Sequence, residues 1–266
     1  MTTIINTLKN LPLLDEQQIK AYWHSDLIQK IYFSPKKVNT EEATEKLAEK
    51  GYLQTLRKTA SFLKRYDVDE LCADMLALFE WDTGYAIESE TVYIILGCAT
   101  TTIYSVTLGS EVVSVLCAEA IHGDMQQLKM LLAHEYTHFV RKQQLKKDIF
   151  ESCIGERLVT EGIAESYSKE QVPGLSEDLY CIVSKPTVQW VRMHMVELEE
   201  YIKGNLSDNA LMEPLFSMLA DIDFPLRTGY VYGFFAVQRY LKAKGAKVKE
   251  ILTEDWQEIL TLNHPT

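Results

Sequence analysis

Two histidines and a glutamate within five residues, His134-Glu135-x-x-His138, are the side chains in this sequence best suited to chemistry. On a helix, positions i and i+4 share a face and stand about 5–6 Å apart, so the two imidazoles can hold one zinc ion. Glu135, beside the first of them, points into the same cleft and can take a proton from a water on that ion. A catalytic zinc usually has three protein ligands and one water, so a third ligand is expected downstream. The segment Val159-Thr160-Glu161-Gly162-Ile163-Ala164-Glu165-Ser166 offers two acids at i, i+4 on one helix face. Glu161 is the expected third ligand. Glu165, one turn on, is expected to accept the Nδ1 proton of a zinc-bound histidine and so fix its ring and tautomer. Gly162 costs its helix about 1 kcal/mol relative to alanine. Close approach of this helix to the metal helix is the expected reason for accepting that cost.

Those residues need elements to carry them. From Asp15 to about Phe79, apolar residues recur at helical spacing, as in Leu53, Leu56, Ala60 and Leu63. Thr40 with Glu41, Glu42 and Ala43 has the form of a helix start. After Gly84 the composition changes to β-branched and aromatic residues. Thr91–Cys98, Thr101–Leu108 and Glu111–Cys117 are expected strands, the last two joined by a turn at Gly109-Ser110. Asp124 caps a helix expected to run from Met125 to about Gln144 and to carry the histidines. A second helix is expected over Ile154–Lys169, ended by Pro173-Gly174. Further helices are expected over Val188–Ile202, Asn209–Ala220, Tyr230–Lys244 with Gly245 at its end, and Val248–Leu260. The division expected is a helical region at 1–85 followed by a catalytic region at 86–266, packed as one unit. The fold class is α+β, with a small mixed sheet and mostly helical N- and C-terminal parts.

The spacing of Glu161-Gly162-Ile163-Ala164-Glu165 after the His-Glu-x-x-His helix resembles the gluzincin peptidases, among them the thermolysin-like enzymes and aminopeptidases with an Asn-Glu-Gly-Phe-Ala motif. Thr160 stands where the aminopeptidases have asparagine. The resemblance covers about Leu108 to Lys169. The chain is also similar to bacterial proteins classed as predicted zinc-dependent proteases, which share its length and a downstream Gly-Tyr-x-x-Gly. The resemblance implies a zincin-like fold with an edge strand beside the metal helix. Such a strand holds the substrate backbone by β-augmentation. Glu111–Cys117 is placed either for that role or as an ordinary core strand. It implies Zn2+ as cofactor and a peptide or protein as substrate. Glu135 is the general base that takes a proton from a zinc-activated water and returns it to the leaving amine. The oxyanion needs a second donor besides zinc. Relatives use a histidine or a tyrosine, and Arg227-Thr228-Gly229-Tyr230-Val231-Tyr232-Gly233 offers Tyr230 first and Tyr232 in reserve. Arg227 can meet a substrate carboxylate or carbonyl, or make a structural salt bridge. His194, among Met193, Met195 and Val196, is a packed histidine or a third candidate donor.

Composition narrows the field. The 266 residues are 47% hydrophobic and carry a formal net charge of −11. No basic stripe is present, which argues against nucleic-acid binding. Met1–Asn10 has no basic start or long apolar stretch, and no apolar run approaches the length of a membrane span. The five cysteines are widely spaced, without a Cys-x-x-Cys pair, as in a reduced cytoplasmic protein. Two rivals remain. Glu119-x-x-His122 and Glu135-x-x-His138 repeat the Glu-x-x-His spacing of di-iron bundles, but twelve residues separate them and the upstream copy follows a strand. A non-catalytic metal- or peptide-binding protein on the same fold is the other. No Gly-x-Met-Glu-Asn segment, the amino-terminus-binding signature of the aminopeptidases, is present, which favours an endopeptidase or oligopeptidase.

Overall fold

The computed structural model describes residues 2–9, 15–36, 38–47, 51–98, 102–147, 149, 152–209, 211–216 and 224–261. They form an α+β protein with a four-stranded mixed sheet. Its strands are β1 (Thr3–Asn6), β2 (Thr91–Ile95), β3 (Ile103–Leu108) and β4 (Glu111–Cys117), in the order β1-β2-β4-β3. β1, β2 and β4 run parallel, and β3 is antiparallel to β4. The β3–β4 hairpin pairs Leu108 with Glu111. Its two-residue turn is Gly109-Ser110, and Gly109 supplies the positive φ of +66° that such a turn needs.

β4 is bonded on both sides, to β2 and to β3. From Ser114 to Leu116 it cannot take up a substrate strand, because both of its sides are already in the ladder. Of the two readings of Glu111–Cys117, the strand order gives the core strand and corrects the edge strand, and the outer strands are β1 and β3. β1 itself went unanticipated, since four residues give period two too little length to register.

The longer helices are α1 (Glu16–Trp23), α2 (Tyr52–Arg65), α3 (Val68–Thr83), α4 (Met125–Leu145), α5 (Ile154–Gln171), α6 (Lys185–Met193), α7 (Met195–Lys203) and α8 (Thr228–Lys244). The helix expected over Val188–Ile202 is two, broken at His194, whose φ of −110° and ψ of 22° leave the helical region. Most of the Asn209–Ala220 expectation lies outside the described residues, which hold a short helix at Met212–Phe216. Val248–Leu260 is a 3-10 turn at Val248–Glu250 and a helix at Trp256–Thr261. Among the described residues, no helix is long and apolar enough to cross a membrane.

The chain forms two compact units, one of Met1–Leu78 with Ile87–Leu132, the other of Phe79–Ala86 with Ala133–Thr266. The division thus differs from the expected one at residue 85: the sheet belongs with the N-terminal helices. In the first unit, the Trp23 indole donates to Leu96 O at 3.0 Å, and the Glu119 carboxylate accepts from Gly97 N at 3.0 Å. A side chain at Gly97 would meet Glu119 and Tyr32 at under 3 Å.

The second unit is built around α5. Nearly every residue of α5 from Ile154 to Ser168 is buried, as expected of a helix packed on all sides. α4 runs antiparallel to it: the rings of Tyr136 and Tyr167 stand 5.9 Å apart at one end, and Arg141 bonds Glu156 at the other. α8 runs alongside α5 in the same direction, with Arg157 against Tyr230 and Ser166 against Gln238. A Cβ on Gly162 would lie 2.2 Å from the Gly233 carbonyl oxygen, and one on Gly233 would lie 2.2 Å from the Leu158 oxygen. Gly162 therefore serves close approach to α8. The expectation that it serves approach to the metal helix α4 is corrected, since the groups a Cβ there would meet belong to Gly233 and Val237.

Candidate metal centre

α4 begins at the expected cap, where Asp124 Oδ1 accepts from Gln126 N at 2.7 Å. Three turns on, it presents His134 and His138 on one face, with their Nε2 atoms 3.0 Å apart. α5 brings Glu161 to both. Its Oε2 lies 3.4 Å from His134 Nε2 and 3.5 Å from His138 Nε2. All three side chains are buried. Among the described residues, these three form the group of ligand-type side chains able to hold a metal ion.

The spacing fits zinc. Ligands at about 2.0–2.1 Å from zinc in tetrahedral directions stand about 3.3–3.4 Å from one another. The three observed separations bracket that value. Glu161 Oε2 is buried and makes no hydrogen bond, a costly condition for a carboxylate unless a cation takes its place. The donor set of two imidazole nitrogens and one carboxylate oxygen is one that zinc accepts.

Electrostatics favour the ligand forms. Burial chiefly, with the neighbouring His138, lowers the pKa of His134, which keeps that ring neutral. Burial alone would raise Glu161, but the Arg157 guanidinium above all, together with both imidazoles, holds its carboxyl well below the usual range. Arg157 Nη2 lies 2.8 Å from Glu161 Oε1. Glu135 is buried, and its charge acts on the His134 ring.

The second acid behaves differently. Burial and the charge of Glu161 push Glu165 well above the usual carboxylate range, so it is held neutral. Neither of its oxygens makes a hydrogen bond, and neither does His134 Nδ1. The imidazole–carboxyl contact expected of Glu165 is thus absent here. Besides Glu161, the groups that act on it are Arg227 and the Cys181 thiol, both in the opposite direction.

The tyrosines of α8 separate by face. Tyr230 reaches toward the centre, with its hydroxyl 3.3 Å from Arg157 Nη2. Tyr232, two positions on, points about 200° away around the helix. It is fully buried, without a hydrogen bond, and the charges that act on it belong to Glu199 and Arg239. The reserve role given to Tyr232 is corrected on that ground. Arg227 donates to Ile182 O at 3.0 Å and lies over the Tyr230 ring at 4.1 Å. It takes a left-handed backbone, φ 63°, to start α8. His194 stacks on Trp190 and its Nδ1 lies 2.8 Å from Trp190 O, so it is a packed histidine. The di-iron rival also loses its frame: Glu119 sits in a four-residue 3-10 turn bonded to Gly97 N, and His122 is exposed.

Two functional contacts escaped the sequence reading. Arg157 precedes Glu161 by four residues, a spacing that puts both on one helix face. Arg141, one turn after His138, is fully buried and ties α4 to α5 through Thr160 Oγ1 at 3.1 Å and Glu156 Oε1 at 2.6 Å.

No curated protein and no solved structure matches the chain. A family model described as "Predicted Zn-dependent protease (DUF2268)" matches residues 104–261. That stretch takes in β4, both metal helices and α8. It is more than half of the 266 residues, and the ligand cluster lies wholly inside it, so the chain belongs to the Predicted Zn-dependent protease (DUF2268) family.

Proposed function

We propose that this chain is a zinc metallopeptidase of the gluzincin type that hydrolyses peptide bonds. The observation that carries this is the convergence of His134 Nε2, His138 Nε2 and Glu161 Oε2 at zinc-ligand spacing around a carboxylate oxygen without a hydrogen bond. When bound, zinc supplies a Lewis acid that lowers the pKa of water toward 7 and polarises a carbonyl.

The remaining steps belong to side chains. Glu135 takes the proton of the attacking water and hands it to the leaving amine. Tyr230 donates its hydroxyl hydrogen to the developing oxyanion. Its orientation is supported by Arg157 at the hydroxyl and Arg227 across the ring. Arg227 is engaged within the fold and acts on substrate through Tyr230. Substrates are peptides or proteins, cut internally or as oligopeptides, and the expected compartment is the cytoplasm.

Glu135→Gln keeps size and removes the base. The variant is expected to bind one zinc per chain, by metal analysis, and to lose at least a hundredfold in hydrolysis of a mixed peptide library. A wild type that carries full zinc and cleaves nothing in that library sinks the proposal and favours the non-catalytic alternative.

A further inference from the structure

The two oxygens of Glu161 have different surroundings. Oε2 faces the imidazoles at 3.4 and 3.5 Å, while Oε1 takes Arg157 Nη2 at 2.8 Å. The same nitrogen lies 3.3 Å from the Tyr230 hydroxyl. The guanidinium also packs over Phe216 at 5.4 Å, and Phe216 meets the Tyr230 ring edge-on at 5.3 Å. Arg157, Glu161 and Tyr230 are therefore one packed group rather than a flexible surface pair. The Arg157 side chain is 18% exposed.

A carboxylate binds a metal through one oxygen or through both. A full positive charge with a short N–H···O bond takes a lone pair of one oxygen and sets a cation against it, which leaves the other oxygen as the better metal ligand. We propose that Arg157 is a positioning residue, holding Glu161 to a single ligating oxygen and tying the Tyr230 hydroxyl to that same carboxylate, a role that rests on the metal centre proposed above. Arginine suits this where lysine does not. The two N–H bonds of its Nη2 lie in the guanidinium plane and point to the two acceptors in fixed directions, whereas an ammonium is a compact point charge on a flexible stem. If Arg157 merely neutralised a buried acid, lysine would replace it.

The test uses full-length protein loaded with Co2+, whose visible absorption weakens as coordination rises from four to five. Wild type is expected to bind one cobalt with an intense four-coordinate spectrum. Arg157→Lys and Arg157→Met are expected to give weaker bands, as Oε1 becomes a second ligand atom. Metal affinity, by chelator competition, is expected to fall about tenfold to a hundredfold in Arg157→Met. Tyr230→Phe, which leaves the Arg157–Glu161 contact in place, is expected to keep the wild-type spectrum. Arg157→Lys keeps the charge and so the fold, and decides the matter if the methionine variant fails to fold. A lysine variant that matches wild type in both spectrum and affinity overturns the inference while leaving the metal centre intact. A wild type that binds neither cobalt nor zinc overturns the centre itself, and the inference with it.

Discussion

At the scale of single residues, the centre divides two acids four positions apart into opposite roles. Glu161 is ionised because Arg157 and the imidazoles outweigh its burial, and Glu165 is neutral because nothing outweighs its own. The consequence for stability has a definite sign. A carboxyl whose pKa is raised in the folded state contributes stability that is present below its unfolded pKa, about 4.3, and lost as pH rises through the folded value. The Glu165 contribution to the stability of the metal-free protein is therefore expected to decline with rising pH above about 4.3, while His134, whose pKa is lowered, contributes the opposite slope as pH rises toward its unfolded value, about 6.5. Glu165→Gln, a neutral mimic, is expected to remove that decline, read as urea midpoints at intervals between pH 4.5 and 8. An unchanged slope shows that Glu165 is ionised in the folded chain. The residues legible in the sequence were those whose chemistry forces type and spacing within a helix: His134, Glu135 and His138 on α4, and Glu161 at four before Glu165 on α5. Tyr230 and Tyr232 were not separable that way, because only the packing of α8 decides which ring faces α5. Arg157 was hidden by its ordinariness, since Arg-x-x-x-Glu is a common surface pair and only burial makes this one a partner of the centre.

At the scale of elements, the centre needs α4, α5 and α8 in fixed register, and two devices hold it. Arg141 spends its donors on Thr160, Glu156 and the carbonyls of Leu252 and Glu254, all within or beside the buried seam between α4 and α5. Arg141→Met strands Glu156 with Lys147 as its remaining cation, 2.7 Å away. A loss of about 3–5 kcal/mol is expected in chemical denaturation, as for other broken buried pairs. The double variant with Glu156→Gln is expected to lose less than the two singles added together, since each single leaves the other's partner stranded. The second device is backbone contact between α5 and α8. Gly162→Ala is expected to cost more than the about 1–3 kcal/mol usual for overpacking, because its Cβ meets the Gly233 carbonyl rather than a movable side chain. Helix existence and type were readable from periodicity for α4, α5 and α8. The interior place of β4 was not, because strand order depends on partners far away in the chain.

At the scale of the whole molecule, the candidate ligands come from two helices, with Glu161 twenty-three positions after His138, so metal binding and folding of the second unit are expected to be linked. Zinc at a hundred times its dissociation constant adds about 2.7 kcal/mol to the stability of the form that binds it. For a unit of this size that corresponds to a rise in melting temperature of about 5–10 °C. Differential scanning fluorimetry with zinc and with chelator is expected to show it, and His138→Ala is expected to abolish it. A shift that survives in His138→Ala places the metal elsewhere. The α+β class and the helical ends followed from composition. The two-unit division did not, because α3 and α4 each contribute residues to both units and a change in composition cannot mark such a boundary. The contact of Gly162 with Gly233 reaches further than packing. A side chain at Gly162 would run into the Gly233 carbonyl, and one at Gly233 into the Leu158 carbonyl, so two glycines some seventy residues apart serve one and the same approach of α8 to α5. A chain that kept His134-Glu135-x-x-His138 but gained a side chain at either glycine is therefore expected to hold α8 farther from α5, and with it the Tyr230 hydroxyl farther from Arg157.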